Sequence, residues 1–522
     1  MSKAGFGGAV MAALALALAF RLASAGVRPV HHDEANQAVK FGELLETGDY
    51  RYDRNDHHGP TLYYLTLPAA WARGQATFAS LDERTLRAVP ALFGACLILL
   101  FVPLARGLGR PAVAAAALLA ALSPVLVYYS RFYIQESLFA FFALAFLIAV
   151  GRFAEHPSRM AAVGGGLAAG LAYATKETSI IVLPAIVVAA ALARGMARNA
   201  GGGERSSTPA DARVRLRRIA LGAVVAVVTA FVFYSSFFRY PGGLLESVRA
   251  FGVYFGRGLD AGPHVQPFGY YARMLAFSSS GGLVWSEALI LGLAVAGMIA
   301  SGRKAPAAGA GFWPRYVALY SLVAFVAFSA VRYKTPWNVV PFHVGFVLMA
   351  GVGTAVLLGS LRSRAWKVVA ALALAAVVTH LGVQSWRASF RYPADPRNPY
   401  VYAHTVPDFL RLVQRVTDVS ALHPDRRAMP VKVVAGPYEQ WPLPWYLRGL
   451  TRVGYWTQAA DAAPLVDAPI VVASQEQADA VAAALGDGYV QEFYGLRPDV
   501  VLTVFIERSS WERFLASRAS RD

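Results

Sequence analysis

Two adjacent carboxylates, Asp33 and Glu34, stand in the stretch RPVHHDEANQAVKFGELLETGDY, just after a long apolar segment. A carboxylate within hydrogen-bond reach of an acceptor hydroxyl is a general base, and a second one beside it can orient it or bind a metal. The same residues have a structural reading, with Asp33 as the N-cap of a helix from Glu34 to Thr47 that Gly48 ends. Capping and catalysis are compatible. Four histidines flank the carboxylates, His31 and His32 before them and His57 and His58 in YDRNDHHGPTLYY. His and Asp at short spacing can bind zinc or manganese, so a divalent metal stays an open alternative. The spacing matches no HExxH pattern, and hydrogen bonding within the loop is the default reading.

Three short connections between apolar segments carry cations. YYSRFYIQESLFAFF presents Arg131 and Glu136, YATKETSI presents Lys176 and Glu177, and SAVRYKTPWNVVP presents Arg332 and Lys334. Any one of these is explained by snorkelling or a local ion pair. Together they stand out, because cations are the exception on the outer side of a membrane protein. An anion is expected there. A phosphate or diphosphate at membrane depth is what Arg holds by a bidentate fork and Lys as a point charge.

The elements that must position these groups are apolar. Of the 522 residues 56% are hydrophobic and 16% charged, and the mean hydropathy is +0.43; soluble domains carry roughly 25% charged residues. Eleven segments predict transmembrane helices, at about 8–26, 86–105, 111–129, 137–152, 160–175, 178–193, 219–237, 283–301, 316–331, 338–359 and 368–386. The fifth and sixth are short and Gly/Ala-rich, which allows a broken or re-entrant pair. The first could pass for a secretory signal, but Arg28-Pro29 is a poor cleavage context and the later segments need an anchor, so it reads as helix one.

The net charge of +17 lies mostly in the connections after even-numbered segments. These hold Arg106 and Arg110, Arg152 and Arg159, seven arginines between Arg194 and Arg218, then Arg303, Lys304 and Arg315, and finally Arg362, Arg364 and Lys367. The asymmetry predicts a cytoplasmic N-terminus and an extracytoplasmic C-terminal region in a cell (inner) membrane. The basic loops are topology signals, and GGGERSSTPADARVRLRR, at 201–218 in the basic loop 194–218, reads as a flexible linker with no nucleic-acid surface. Two long odd-numbered connections, 27–85 and 238–282, are rich in aromatics such as Tyr50, Tyr52, Tyr63, Tyr64, Phe268, Tyr270 and Tyr271. They predict helices lying at the headgroup layer. The single cysteine, Cys96, sits in an apolar run and allows neither an intrachain disulfide nor a cysteine metal site.

After residue 387 the pattern changes. The runs VKVVAG, APIVVAS and VVLTVFIE alternate with helical stretches such as QEQADAVAAAL. This predicts a membrane unit over 1–387 and a small extracytoplasmic α/β domain over 388–522. No Gly-rich phosphate loop and no internal repeat is present, which argues against a nucleotide site and against an inverted-repeat transporter.

An external carboxylate, external cations and aromatic surface helices describe a site at the headgroup level, where a polyprenyl-phosphate sugar would sit. The chemistry would be displacement at the anomeric carbon, with a carboxylate taking the acceptor's proton and cations stabilising the departing phosphate.

The stretch HHDEANQAVKFGELLETGDYRYDRNDHHGPTLYYLTLPAAW resembles the N-terminal signature of the flippase-activity-associated membrane proteins. These are similar to the superfamily of protein O-mannosyltransferases and aminoarabinose transferases, whose fold is called GT-C. The resemblance implies an α-helical polytopic fold of about 11 transmembrane helices and an inverting glycosyltransferase of the cell envelope, protein glycosylation included. Its donor would be a polyprenyl-phosphate sugar and its acceptor an extracytoplasmic glycan, lipid or protein. It also implies roles: Asp33 as base or metal ligand with Glu34 beside it, Glu136 as a second acidic residue, and Arg131, Lys176 and Lys334 at the carrier phosphate. Arg332 joins them by proximity, and the KTPW run at 334–337 is similar to a segment before a late helix. The family name keeps a second reading, a non-enzymatic flippase or flippase accessory in which the same groups guide a headgroup. A scaffold for polysaccharide assembly would leave the charged tips unexplained.

Overall fold

The computed structural model describes residues 1–55, 58–199, 209–259, 264–303 and 311–519. Of the residues considered above, His57, Arg205 and Lys304 lie outside the described residues.

All eleven apolar segments form helices. In chain order the helices are α1 (Lys3–Leu22), α2 (His32–Thr47), α3 (Thr61–Ala72), α4 (Glu83–Cys96), α5 (Ala105–Leu108), α6 (Arg110–Leu122), α7 (Pro124–Tyr129), α8 (Glu136–Glu155), α9 (Arg159–Tyr173), α10 (Ser179–Asn199), α11 (Pro209–Tyr234), α12 (Gly243–Leu259), α13 (Tyr270–Ala276), α14 (Ala288–Gly302), α15 (Phe312–Ala330), α16 (Val340–Ser360) and α17 (Arg364–Trp386). Among the described residues, eight helical stretches are long and apolar enough to cross a membrane: α1, Glu83–Leu108, α8, most of α10, α11, α15, Pro336–Ser360 and Arg364–Arg391. The other three segments give shorter helices: α6, α9 and α14, of 13, 15 and 15 residues. Ser123 ends α6 and caps α7, so the third segment continues past a break. The fifth and sixth segments are two separate helices.

Small residues let the helices approach closely, as packing within a bilayer requires. Where α14 meets α16, a Cβ on Gly297 would lie 2.1 Å from the Met349 carbonyl oxygen, and one on Gly353 would lie 2.0 Å from that of Leu293. The long connections hold the expected extra helices, α2 and α3 in the first and α12 and α13 in the second. α12 buries Ser247 and Ala250 and leaves Leu245 and Val248 exposed, an arrangement suited to a headgroup layer.

The C-terminal part is a five-stranded sheet. Its strands are β3 (Val431–Val434), β4 (Val453–Trp456), β5 (Ile470–Ser474), β6 (Tyr489–Arg497) and β7 (Val500–Glu507), following a small hairpin of β1 (Ser278–Ser280) and β2 (Leu283–Trp285) in the second long connection. The order is β4-β3-β5-β7-β6. β4, β3 and β5 run parallel, and β7 and β6 are antiparallel. Helices α18 (Asp408–Leu422), α19 (Leu443–Tyr446), α20 (Ala478–Leu485) and α21 (Arg508–Ala519) flank it. The three β-type runs in the sequence become β3, β5 and β7.

Sheet and bundle are joined by specific bonds. Trp445 Nε1 donates to Glu83 Oε1 at 2.9 Å, Arg448 to the Leu81 carbonyl at 2.7 Å, and the Val30 amide to the Tyr446 hydroxyl at 2.8 Å. Between them the segment 392–407 crosses the end of the bundle, held where Tyr128 and Tyr129 donate to the carbonyls of Pro393 and Tyr400. Beneath it the fully buried Glu287 carboxylate gathers Ser123 Oγ, the Val125 amide, His343 Nε2 and the Tyr400 hydroxyl. A buried carboxylate persists only when so many donors satisfy it.

Candidate active site

The first turn of α2 sorts the two carboxylates. His31, not Asp33, is the N-cap: its Nδ1 accepts the Asp33 amide at 3.0 Å, while Glu34 reaches back to accept the His31 amide at 3.0 Å. A glutamate three positions into the helix closes this reciprocal capping box, so Asp33 is released from capping. Since His31 Nδ1 accepts, its Nε2 carries the proton and donates to the Tyr402 carbonyl at 2.9 Å.

Glu34 also differs from expectation. It accepts from Arg28 at 2.9 Å, twice from Arg87 at 2.8 Å, and from the Tyr133 amide at 2.9 Å. Burial alone would raise this carboxyl, but the Arg28 and Arg87 guanidiniums hold it at about 2. A carboxylate so saturated has no lone pair free to take a proton from an acceptor hydroxyl, and Glu34 positions the turn. Asp33 keeps 39% of its side chain exposed.

Around Asp33 lie groups from four parts of the chain. Trp337 packs its ring 6.0 Å from His31 and 5.8 Å from Tyr402. The Tyr402 hydroxyl meets His264 Nδ1, and His264 lies 4.6 Å from the Tyr333 ring. Burial pushes the Tyr402 phenol up to about 12, with Tyr333 and Asp33 adding to the effect. Burial lowers the His264 imidazole, against the pull of Asp33. His404, 4.7 Å from His31, is pushed well down by burial, with the Arg28 guanidinium adding to the effect, and its Nε2 lies 3.0 Å from the Tyr128 hydroxyl. From the sheet, His32 meets Tyr438 and Trp441.

The cations divide. Lys176 is buried, paired with Glu136 and bonded to Asn338 at 3.1 Å, beside Trp337. One turn on from Asp33, Gln37 accepts from Gln135 at 2.9 Å and from Tyr63, which connects α2 to the residue before Glu136. Glu177 pairs instead with His58 at 2.7 Å, where Gly59 packs on the Ala174 carbonyl. Arg131 corrects the phosphate expectation: its guanidinium donates to the carbonyls of Phe20, Arg21, Ala23 and Ser24 at the C-terminus of α1, where orphan carbonyls need donors. Lys334 likewise donates to the carbonyls of Gln266 and Val331. Arg332 is exposed.

Among the described residues no group of three or more His, Cys, Asp or Glu is placed to hold a metal. The donor chemistry agrees: both His31 nitrogens are engaged, and His58 is engaged with Glu177. As they stand, neither His31 nor His58 is free to hold a divalent metal, and the chemistry proposed for this chain uses none.

Arg28, Arg87, His264, Trp337, Tyr402, His404 and Arg497 were not singled out by the sequence. Arg87 carried a signal, since an arginine entering an apolar helix needs a buried partner. Tyr402 and His404 stand in NPYVYAHTVPDF, whose prolines and polar aromatics mark an ordered non-helical segment.

Residues 68–200 match the family model described as dolichyl-phosphate-mannose-protein mannosyltransferase. No curated protein matches the chain. The fold is similar to that of ArnT from Cupriavidus metallidurans bound to undecaprenyl phosphate, with a TM-score of 0.62, 18% identity, and coverage of 95% of this chain and 98% of that one. It is similar also to the archaeal oligosaccharyltransferase AglB from Archaeoglobus fulgidus, in complex with an inhibitory peptide and a dolichol-phosphate, with a TM-score of 0.54, 14% identity, and coverage of 95% and 74%.

Proposed function

We propose that this chain, whose fold is that of the GT-C glycosyltransferases, moves a sugar from a polyprenyl-phosphate carrier to an extracytoplasmic acceptor. The observation that carries the reading is the contrast in the first turn of α2. Glu34 is saturated, and Asp33 is left partly exposed among Tyr402, His264 and the sheet. The ligands of those two similar structures, undecaprenyl phosphate and dolichol-phosphate, support the carrier class.

In the reaction the acceptor hydroxyl oxygen attacks the anomeric carbon and Asp33 takes the hydroxyl proton. The bond from anomeric carbon to phosphate oxygen breaks, and the carrier phosphate leaves with the electron pair, inverting the centre. Lys176 is the leading cation for that phosphate, which would compete with Glu136 for the ammonium; Arg332 is the exposed cation nearest in sequence to the KTPW run. Arg131 and Lys334 have their donors on backbone carbonyls and are left out of this role. The basic loops support a cytoplasmic N-terminus and an outer face carrying Asp33 and the sheet. The chain divides on this reading into a membrane unit over 1–387 and the α/β unit over 388–522.

The test is transfer of radiolabelled sugar from polyprenyl-phosphate donors by the purified protein, wild type against Asp33→Asn, with and without chelator. Labelled product and free carrier phosphate from wild type alone establish the transferase and its base. Carrier-lipid movement across vesicles that survives Asp33→Asn, without turnover of any donor, overturns it in favour of export.

A further inference from the structure

The connection leaving β3 runs to β4 on one side of the sheet, whereas the connection leaving β5 runs toward β6 on the other. The carboxyl ends of β3 and β5 are therefore where the connections diverge, the place at which open α/β sheets leave a ligand crevice. Residues 435–442, AGPYEQWP, are the first wall of that crevice, and they face the bundle. The Tyr438 and Trp441 rings lie 6.2 Å and 5.7 Å from His32, the residue before Asp33. Tyr438 still keeps 68% of its surface exposed, so an aromatic face is offered beside the base.

Polar groups accompany the rings. Arg497, at the end of β6, donates to the Tyr438 carbonyl at 3.1 Å, and its Nε is enclosed with no hydrogen-bond partner among the described residues. Burial lowers this guanidinium, and the carboxylates of Glu439 and Asp33 act against the burial. The Glu439 amide donates to the Gly436 carbonyl at 3.0 Å. Its carboxylate folds back so far that a Cβ on Gly436 would lie 2.4 Å from Oε2.

We propose that the AGPYEQWP loop and Arg497 bind the acceptor, and that the acceptor is a carbohydrate. A pyranose packs its apolar face on Tyr438 and Trp441, its hydroxyls pair with Glu439 and Arg497, and one hydroxyl is delivered to Asp33. Rings joined by one acceptor and one donor suit a neutral, polyhydroxylated ring; a headgroup phosphate would meet the Glu439 carboxylate, and an acyl chain would leave the charged pair unmatched. This assignment rests on the transferase reading above.

The test uses the full chain in lipid nanodiscs, with cellotriose, maltotriose and chitotriose as probes followed by saturation-transfer NMR. At least one sugar is expected to bind. Tyr438→Ala should weaken that binding tenfold or more, about 1.4 kcal/mol, and Trp441→Phe less. Binding by none of the three, or binding indifferent to Tyr438→Ala in a variant that melts like wild type, overturns the proposal. Sugar binding without any donor turnover sinks the transferase reading and leaves the subsite standing. Donor turnover with an unchanged acceptor KM in Tyr438→Ala sinks the subsite and leaves the transferase standing.

Discussion

Asp33 and Glu34 are neighbours in sequence with opposite environments: the Asp33 side chain is 39% exposed and the Glu34 side chain 2%. Removing Glu34 strands two buried guanidiniums, whereas neutralising Asp33 leaves Arg497 with the Glu439 carboxylate. Glu34→Ala is expected to cost about 3–5 kcal/mol, and Asp33→Asn less than about 0.5 kcal/mol while abolishing transfer. Thermal unfolding and the donor assay together check the pair.

Glu34 also sets an acid limit. Its carboxyl is held at about 2 against an ordinary 4.5. A carboxyl lowered in this way gives its full stabilisation above its ordinary value and loses it as pH falls from there toward 2, roughly 3 kcal/mol in all. Wild type should melt progressively lower between pH 5 and pH 3. In Glu34→Gln, already destabilised, this component of the slope should vanish.

His58 works in the opposite sense. Burial disfavours its charge, but the Glu177 carboxylate at 2.7 Å outweighs this and raises it. The stabilisation is complete below the ordinary histidine value and is lost as pH rises through the raised one. Hydrogen exchange at the Thr61 amide, which donates to the Ala174 carbonyl at 3.2 Å, should therefore show an opening equilibrium that grows as pH rises above the ordinary histidine value. His58→Gln should remove that dependence.

Arg131→Lys separates structure from phosphate binding. A lysine cannot bridge the four carbonyls that the guanidinium serves, so a loss of about 1–3 kcal/mol is expected. The donor KM should stay at the wild-type value. A raised KM with an unchanged melting temperature would return Arg131 to the phosphate site.

Gly353→Ala tests the close crossing of α14 and α16. The added methyl meets the Leu293 carbonyl at 2.0 Å, and overpacking of this kind costs about 1–3 kcal/mol. Alanine at Gly292, where nothing lies within 4 Å, should be neutral in the same melting experiment.

The bundle was legible because hydropathy is a local signal: each apolar segment announces itself without reference to its neighbours, and all eleven are helices. Three are shorter than a spanning helix because packing against other helices, not length, completes them. The site was legible only in part. Asp33 was visible as chemistry, but its release from capping depended on His31 and Glu34 closing a box, and the fate of Glu34 depended on Arg87, 53 positions away. The carbonyl partners of Arg131 were not legible, because a cation free for a ligand and one serving helix carbonyls have the same local sequence. The helical stretch QEQADAVAAAL did mark α20. The strands β4 and β6 are shorter on apolar residues and carry a weaker signal.

The bond between Val30 and Tyr446 joins positions 416 residues apart. During synthesis the loop bearing Asp33 therefore emerges long before the residues that wall it in. Strand β7, which lies between β5 and β6 in the finished sheet, arrives near the end of the chain. A nascent chain would carry Asp33 across the membrane unassembled, and its surroundings would be completed only once the strands of the sheet had been delivered. Truncation within the last strands would then leave the membrane helices intact and the surroundings of Asp33 unassembled.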